Sequence, residues 1–313
     1  MFRIIVRRLA QALPLLLVVS SFTYILVSLI PGSVATTLLG DSGTPAEYAA
    51  IRARLGLNQP VYQQYWHWLV HALHGNLGVS LQNNQAVSSI LNSRLDVTLT
   101  LVIGTVIVVA VVGVAAGVVA ATRGGIPGKA IDGVAWIGLA VPNFWFGLLL
   151  VEFFSLTLRL LPSEGFVPFE TSPEQWLKSL LLPILALSVG PIAVVAKQTR
   201  EAMLAELERD YIRTLRASGI SEGSIVFRHA LKNAAVPVVT VLGVLFAQLL
   251  GGTVVVETVF VLPGLGSLAS TSVAAHDLPV VEGVAIYFAL IVVVMNLAID
   301  IIYGWLNPRI RVQ

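Results

Sequence analysis

Three histidines, His67, His71 and His74, fall at i, i+4 and i+7, which sets their imidazoles along one helical face in the manner of a zinc site. A tetrahedral site needs a further ligand and close geometry, and an interfacial or packing role competes with it, so no metal site is assigned. Ser267, Ser270 and Ser272 precede His276 and Asp277, the residue types of a nucleophile, a base and an orienting acid. Adjacency in sequence does not orient a triad, and hydroxyls in a glycine-rich loop usually serve turns. Arg123 to Ala130, RGGIPGKA, imitates a phosphate loop but has Arg where the first glycine belongs and Ala where Ser or Thr would hold magnesium. It reads as a tight turn. The chain has no cysteine, which removes disulfides, thiolate metal sites and cysteine nucleophiles. No catalytic residue emerges, and an enzyme is not the expectation.

The polar residues that remain lie in apolar surroundings. Glu152, Asn296 and Asp300 fall inside hydrophobic runs, where an ionised side chain costs about 2.5–3.5 kcal/mol at a helix centre and tends to face protein or water. Asn296 and Asp300 are four apart and share a face. Together with Asn143 they are the candidate residues of a translocation path. Interhelical hydrogen bonding, or for Asp300 a place near the inner interface, is the competing reading.

The elements that would position these residues follow from composition. The 313 residues are 56% hydrophobic and 12% charged, against about 25% charged in an ordinary soluble domain. Six apolar runs reach or approach the ~20 residues that cross a bilayer: Leu9 to Ile30, Val97 to Ala121, Ile131 to Leu158, Leu180 to Ala196, Val236 to Val256 and Val281 to Tyr303. The first follows Arg3, Arg7 and Arg8 and exceeds the h-region of a signal peptide, so it reads as an uncleaved helix. The fourth is short and interrupted by Pro183, Gly190 and Pro191. Gly113 and Gly117 form a GxxxG pair on which another helix can approach closely.

The expectation is an all-α polytopic membrane protein of six transmembrane helices with an external segment after the first. Its parts are an N-terminal helix at 1–31, an external segment at 32–96, a transmembrane domain at 97–304 and a tail at 305–313. Tyr62, Tyr65, Trp66 and Trp68 in the external segment suit a lipid interface. Fourteen of the nineteen basic residues fall on one side of this topology, the segments before Leu9, after Ala121, from Lys197 to Lys232 and after Tyr303. The positive-inside rule then puts both termini in the cytoplasm. The basic pI of 9.0 is read as topology, with membrane lipid and not nucleic acid as the partner.

Residues 197–235 form the longest inner loop. Ala202 to Leu215 predicts one helix, with Met203, Leu204, Leu207, Tyr211, Ile212 and Leu215 as its apolar stripe. Gly219 breaks it, and Ser221 can cap a second short helix running to Leu231, with Pro237 beyond its end. Such a projection suits either a groove in a soluble partner or a bed of anionic headgroups.

Seven strings carry a family resemblance: RLGLNQPVYQQYWHWL from Arg54, HGNLGVSL from His74, PNFWFGLLL from Pro142, LPSEG from Leu161, DYIRTLRASGISEGSIVFRHALKNAAVP from Asp210, VETVFVLPGLG from Val256 and NLAIDIIYGWLNPRIR from Asn296. In this order they resemble the type-1 transmembrane subunits of bacterial ABC importers, and more narrowly the first permease of dipeptide and oligopeptide systems. The family's loop motif begins Glu-Ala-Ala where this chain has Arg213, Thr214 and Leu215, and rejoins it at Gly219. The resemblance implies that Arg213, Arg216, Ala217, Ser218, Gly219, Ile220, Ser221 and Glu222 form a coupling helix seated in a cytoplasmic ATPase. It also implies a second homologous permease, two ATPase subunits or domains, an external substrate-binding protein, and no cofactor on this chain, ATP and magnesium belonging to the partners. Relatives of this type import dipeptides, longer peptides, glutathione, haem or nickel. A channel or secondary transporter fits the hydropathy but gives no reason for a structured loop at 197–235.

Overall fold

The computed structural model describes residues 2–30, 34–39, 43–54, 56–123, 125, 133, 138 and 141–306. The expected helix break at Pro31-Gly32, the turn following Arg123, the start of the third span at Ile131, and Arg309 and Arg311 of the tail lie outside the described residues. Among those described, the secondary structure is helical, with one isolated antiparallel bridge between Val79 and Ala86.

The helices are α1 (Phe2–Ser28), α2 (Val34–Leu39), α3 (Pro45–Arg54), α4 (Val61–Leu73), α5 (Val87–Arg123), α6 (Asn143–Leu150), α7 (Pro173–Leu207), α8 (Asp210–Ala217), α9 (Glu222–Ser224), α10 (Leu231–Val259), α11 (Leu265–Ala274) and α12 (Leu278–Leu306). A π-helical stretch, Val151–Thr157, continues α6, and another, Ile225–Ala230, joins α9 to α10. Five stretches are long and apolar enough to cross a bilayer: Ala10–Ser28, Val87–Arg123, Pro173–Leu207, Glu222–Val259 and Leu278–Gly304. The described part of the third expected span, Asn143–Thr157, is shorter.

Two compact units divide the chain. The first comprises Met1–Ile5, Leu99–Leu262 and Val294–Gln313. Its centre is α7, expected to be short and broken, which runs unbroken for 35 residues with Pro183 and Pro191 inside it. Ser172 caps it, the hydroxyl accepting from Gln175 N at 3.3 Å, with Pro173 in the first turn where a missing N–H costs nothing. The interior prolines survive because tertiary packing outweighs their cost of about 3 kcal/mol. Val195 of α7 is fully buried with Val109 of α5 and Val238 and Leu245 of α10. The GxxxG face of α5 lies on α7, so close that a Cβ at Gly117 would stand 2.5 Å from the Ala196 carbonyl oxygen.

The second unit comprises Val6–Thr98 and Pro263–Val293. Val87, Leu91, Leu265, Leu268, Val280 and Val284 form its core. Asp277 fastens two distant segments, accepting from Ser80 Oγ on one oxygen and from Leu81 N at 3.1 Å on the other, and Gln82 Nε2 donates to the Ala275 carbonyl at 3.1 Å. On α4, Tyr65 packs edge-on against Tyr24 of α1 and stacks with Trp68. Tyr62 and Trp66 stay exposed. The four aromatics therefore split, two packing with α1 and α4 and two facing outward.

Candidate functional site

The loop after α7 folds into a sharp elbow whose geometry follows from a few residues. The single helix expected over Ala202 to Leu215 is broken: α7 ends at Leu207, Arg209 is extended at φ −68° and ψ 148°, and α8 begins at Asp210. Asp210 in the first turn of α8 and Arg216 in the last both complement the helix dipole. The exit is a Schellman turn. Gly219 holds φ at +78°, its N–H reaches the Arg216 carbonyl at 3.0 Å, and the Ile220 N–H reaches the Leu215 carbonyl at 3.2 Å.

Beyond the turn, Arg216 Nε and Nη2 donate to the two carboxylate oxygens of Glu222 at 2.7 and 3.3 Å, tying the two arms together. Hydrogen bonding to Glu222 pushes the Arg216 pKa up. Ser221 occupies the N-cap position of α9 but its side chain makes no capping hydrogen bond. The short helix expected from Ser221 does not stop at Leu231. From Glu222 the chain runs through the π-helical stretch into α10 and on to Val259, with Pro237 inside.

The apolar stripe is used internally. Met203 and Ile212 are fully buried with Val118 and Ala121 of α5 and Ile225, Val226 and Ala230 of the π stretch, and Leu204, Leu207, Tyr211 and Leu215 pack against them. Phe227 of the π stretch, by contrast, is exposed. The face left outward is polar: Arg213, Arg216, Ala217, Ser218, Gly219, Ser221 and Glu222 are exposed and Ile220 is half-buried against the cluster.

Beneath the elbow lies a network that the sequence did not suggest. Tyr211 donates its hydroxyl to Glu206 Oε2 at 2.9 Å and accepts from Asn233 Nδ2 at 3.0 Å, and Arg209 Nε sits 3.1 Å from Glu206 Oε1. Burial, ahead of the bond to Glu206, pushes the Tyr211 hydroxyl pKa up. The network joins the end of α7, the start of α8 and the base of α10. The spacing of Glu206 to Tyr211 is not helical, which is why no i, i+4 pattern exposes it.

Of the candidate path residues, Asn143 lines a cavity of about 320 Å³ in the first unit, with Gly190 and Pro191 of α7 and Gln248 and Gly252 of α10. Glu152, Asn296 and Asp300 are not among its lining residues; Glu152 is exposed, and Asn296 and Asp300 are half-buried on α12. Gln248 was missed, though it is the one amide in the run from Val236 to Val256.

Four of the residues considered for chemistry make local or structural hydrogen bonds. His71 and His74 each donate Nδ1–H to a carbonyl of their own helix, of His67 at 2.7 Å and Val70 at 2.8 Å. Ser267 donates to the Gly264 carbonyl, and Asp277 is held by Ser80 and Leu81.

Family comparison gives this arrangement its context. The description "Binding-protein-dependent transport system inner membrane component" matches residues 113–312, and its N-terminal counterpart matches residues 1–102. The chain belongs to this family. It is 41% identical over 312 residues to a protein named as a peptide transport system permease in Brucella abortus, covering 99% of each chain. It is 39% identical over 308 residues to one named as a peptide ABC transporter permease in Sinorhizobium fredii, covering 98% of each. It is also 37% identical over 312 residues to the glutathione transport system permease protein GsiC of Escherichia coli, covering 99% of each. Among solved structures, a chain of the MetNI methionine ABC transporter in inward facing conformations superposes with a TM-score of 0.54 at 18% identity, covering 70% of this chain and 97% of that one. The fold is thus that of type-1 ABC importer transmembrane subunits, and this component is a multi-pass inner-membrane protein.

Proposed function

We propose that this chain is the permease subunit of an ABC importer, forming half of the pathway for ATP-driven uptake of peptides of the dipeptide and oligopeptide class. Its partners are a second homologous permease, two cytoplasmic ATPase subunits or domains that bind ATP and magnesium, and an external protein that delivers the peptide. The observation that carries this reading is the elbow from Arg213 to Glu222. Its apolar stripe packs on its own unit, and its polar face is exposed, where a soluble partner could seat it. Family membership and the names of the Brucella and Sinorhizobium relatives support the peptide assignment. The glutathione permease relative supports a second reading, in which the peptide is γ-linked.

Closure of the ATPase pair would move the elbow, and the Glu206–Tyr211–Asn233 network would pass that movement to α7 and α10 together. The spans then rock between inward-open and outward-open states. The cavity at Asn143 and Gln248, lined by the same two helices, is where such rocking would change the path. Transport is driven only because ATP and substrate bind the two states with different affinities.

Liposomes carrying the full assembly test this. Uptake of a peptide presented by the binding protein is expected to need internal ATP, and Gly219→Trp is expected to abolish uptake while the subunits still co-purify. Uptake driven by an ion gradient without the ATPases would reject the reading.

A further inference from the structure

The 13 residues of α4, Val61–Leu73, include no Asp, Glu, Lys or Arg, although they belong to the segment expected to lie in external water. At 3.6 residues per turn their side chains sort into three sectors. Tyr62, Trp66, Val70 and Leu73 share one face and are exposed. Gln63, His67 and His71 fall on a second, also exposed. Tyr65, stacked on Trp68, marks the third, which meets α1.

The contact with α1 fixes the depth of α4. The Tyr65 hydroxyl lies 2.9 Å from Ser20 Oγ, and the Tyr24 hydroxyl donates to Gln64 Oε1 at 3.4 Å. Ser20 and Tyr24 are both buried. Ser20 stands near the middle of the apolar stretch Ala10–Ser28, about 12 Å from its nearer end at 1.5 Å per residue. Past Ser20, Phe22, Ile25, Leu26 and Leu29 leave α1 exposed and apolar, so hydrocarbon has to reach beyond the level at which Tyr65 is bonded. A helix docked at that level does not stand wholly in water. Without an ionised Asp, Glu, Lys or Arg, α4 avoids the cost of placing such a charge in lipid.

We propose that α4 is an interfacial helix of the bilayer. Its face of Tyr62, Trp66, Val70 and Leu73 is immersed in the acyl chains of one leaflet beside α1, with Gln63, His67 and His71 turned to headgroups and water. Amphipathic helices in this plane bury their apolar side about 5–10 Å, with aromatic rings at headgroup level, which agrees with the depth that Ser20 sets. This seating requires α1 to be a span and is independent of the solute carried.

The test uses the assembled transporter in lipid nanodiscs, with partner subunits free of reactive cysteine and spin labels on Trp66→Cys, Leu73→Cys and His71→Cys of this cysteine-free chain. Dissolved oxygen, which partitions into acyl chains, is expected to relax the labels replacing Trp66 and Leu73 several-fold more than a water-soluble nickel chelate does. The label replacing His71 is expected to show the reverse. Tyr62→Cys supplies a further position on the apolar face should Trp66→Cys fail to assemble. Relaxation dominated by nickel on that face would overturn the proposal and return α4 to external water. Shielding from both reagents would overturn it in favour of a protein covering the face. Either failure leaves the permease reading in place.

Discussion

Gly219 takes φ +78° with nothing within 4 Å of where a Cβ would stand, so a substitution there meets a backbone cost and no clash. For most residues the left-handed conformation costs about 1–2 kcal/mol, less for Asn. Peptide carried per ATP hydrolysed by the reconstituted assembly should fall in the order Gly219, Gly219→Asn, Gly219→Ala, and equal coupling in all three would show the turn to be dispensable. A second residue invites a test of stability: both carboxylate oxygens of Glu282 are buried with no hydrogen-bond partner among the described residues. Replacing it by Met removes an unsatisfied polar group worth about 1–3 kcal/mol, so Glu282→Met should raise the midpoint of thermal unfolding in detergent. A lowered midpoint would mean that the assembled machine supplies a partner. Gly219 was legible in the sequence because a glycine after an amphipathic run announces a helix end. Glu257 and Glu282, both fully buried, were not, because their burial is made by segments far away in the chain.

At the scale of elements, the helices declared themselves through hydropathy and their ends did not. The stripe from Met203 to Leu215 was readable, and all six of its residues lie in one cluster. The break between Leu207 and Asp210 was not, since no glycine or proline marks it, and its fastening is tertiary, through Glu206, Arg209 and Tyr211. The prolines of α7 misled in the opposite direction, because local propensity is weak beside the packing of a helix enclosed by others. The α5–α7 contact gives the sharpest test of such packing. A Cβ at Gly117 would stand 2.5 Å from both the Ala196 carbonyl oxygen and Thr199 Cβ, whereas one at Gly251 meets nothing within 4 Å. Gly117→Ala should therefore destabilise the protein by about 1–3 kcal/mol. Gly251→Ala, relieved of glycine's flexibility in a helix, should be neutral or stabilising by up to about 1 kcal/mol. Equal unfolding midpoints for the two variants would show that α5 and α7 can move apart without cost.

For the whole molecule, the open quantity is the number of crossings, and the contacts of Asp277 constrain it. Ser80 and Leu81 bond Asp277 directly, so the 80–86 loop and the 275–278 turn must lie on one side of the bilayer. The chain between them must then cross an even number of times. The three long apolar stretches Val87–Arg123, Pro173–Leu207 and Glu222–Val259 give an odd number, and a crossing by the segment containing Asn143–Thr157 restores parity. At about 22 Å the described 15 residues are short of the hydrocarbon thickness. On the positive-inside rule the basic stretch from Lys197 to Lys232 is expected on the inner side. The chain has no cysteine, so single ones report cleanly. Asn83→Cys and Glu164→Cys should react with an impermeant maleimide on intact cells, and Ser218→Cys only in inverted vesicles. Glu164→Cys reacting from the cytoplasmic side alone would remove the third crossing, and with it the common side that the Ser80–Asp277 hydrogen bond requires.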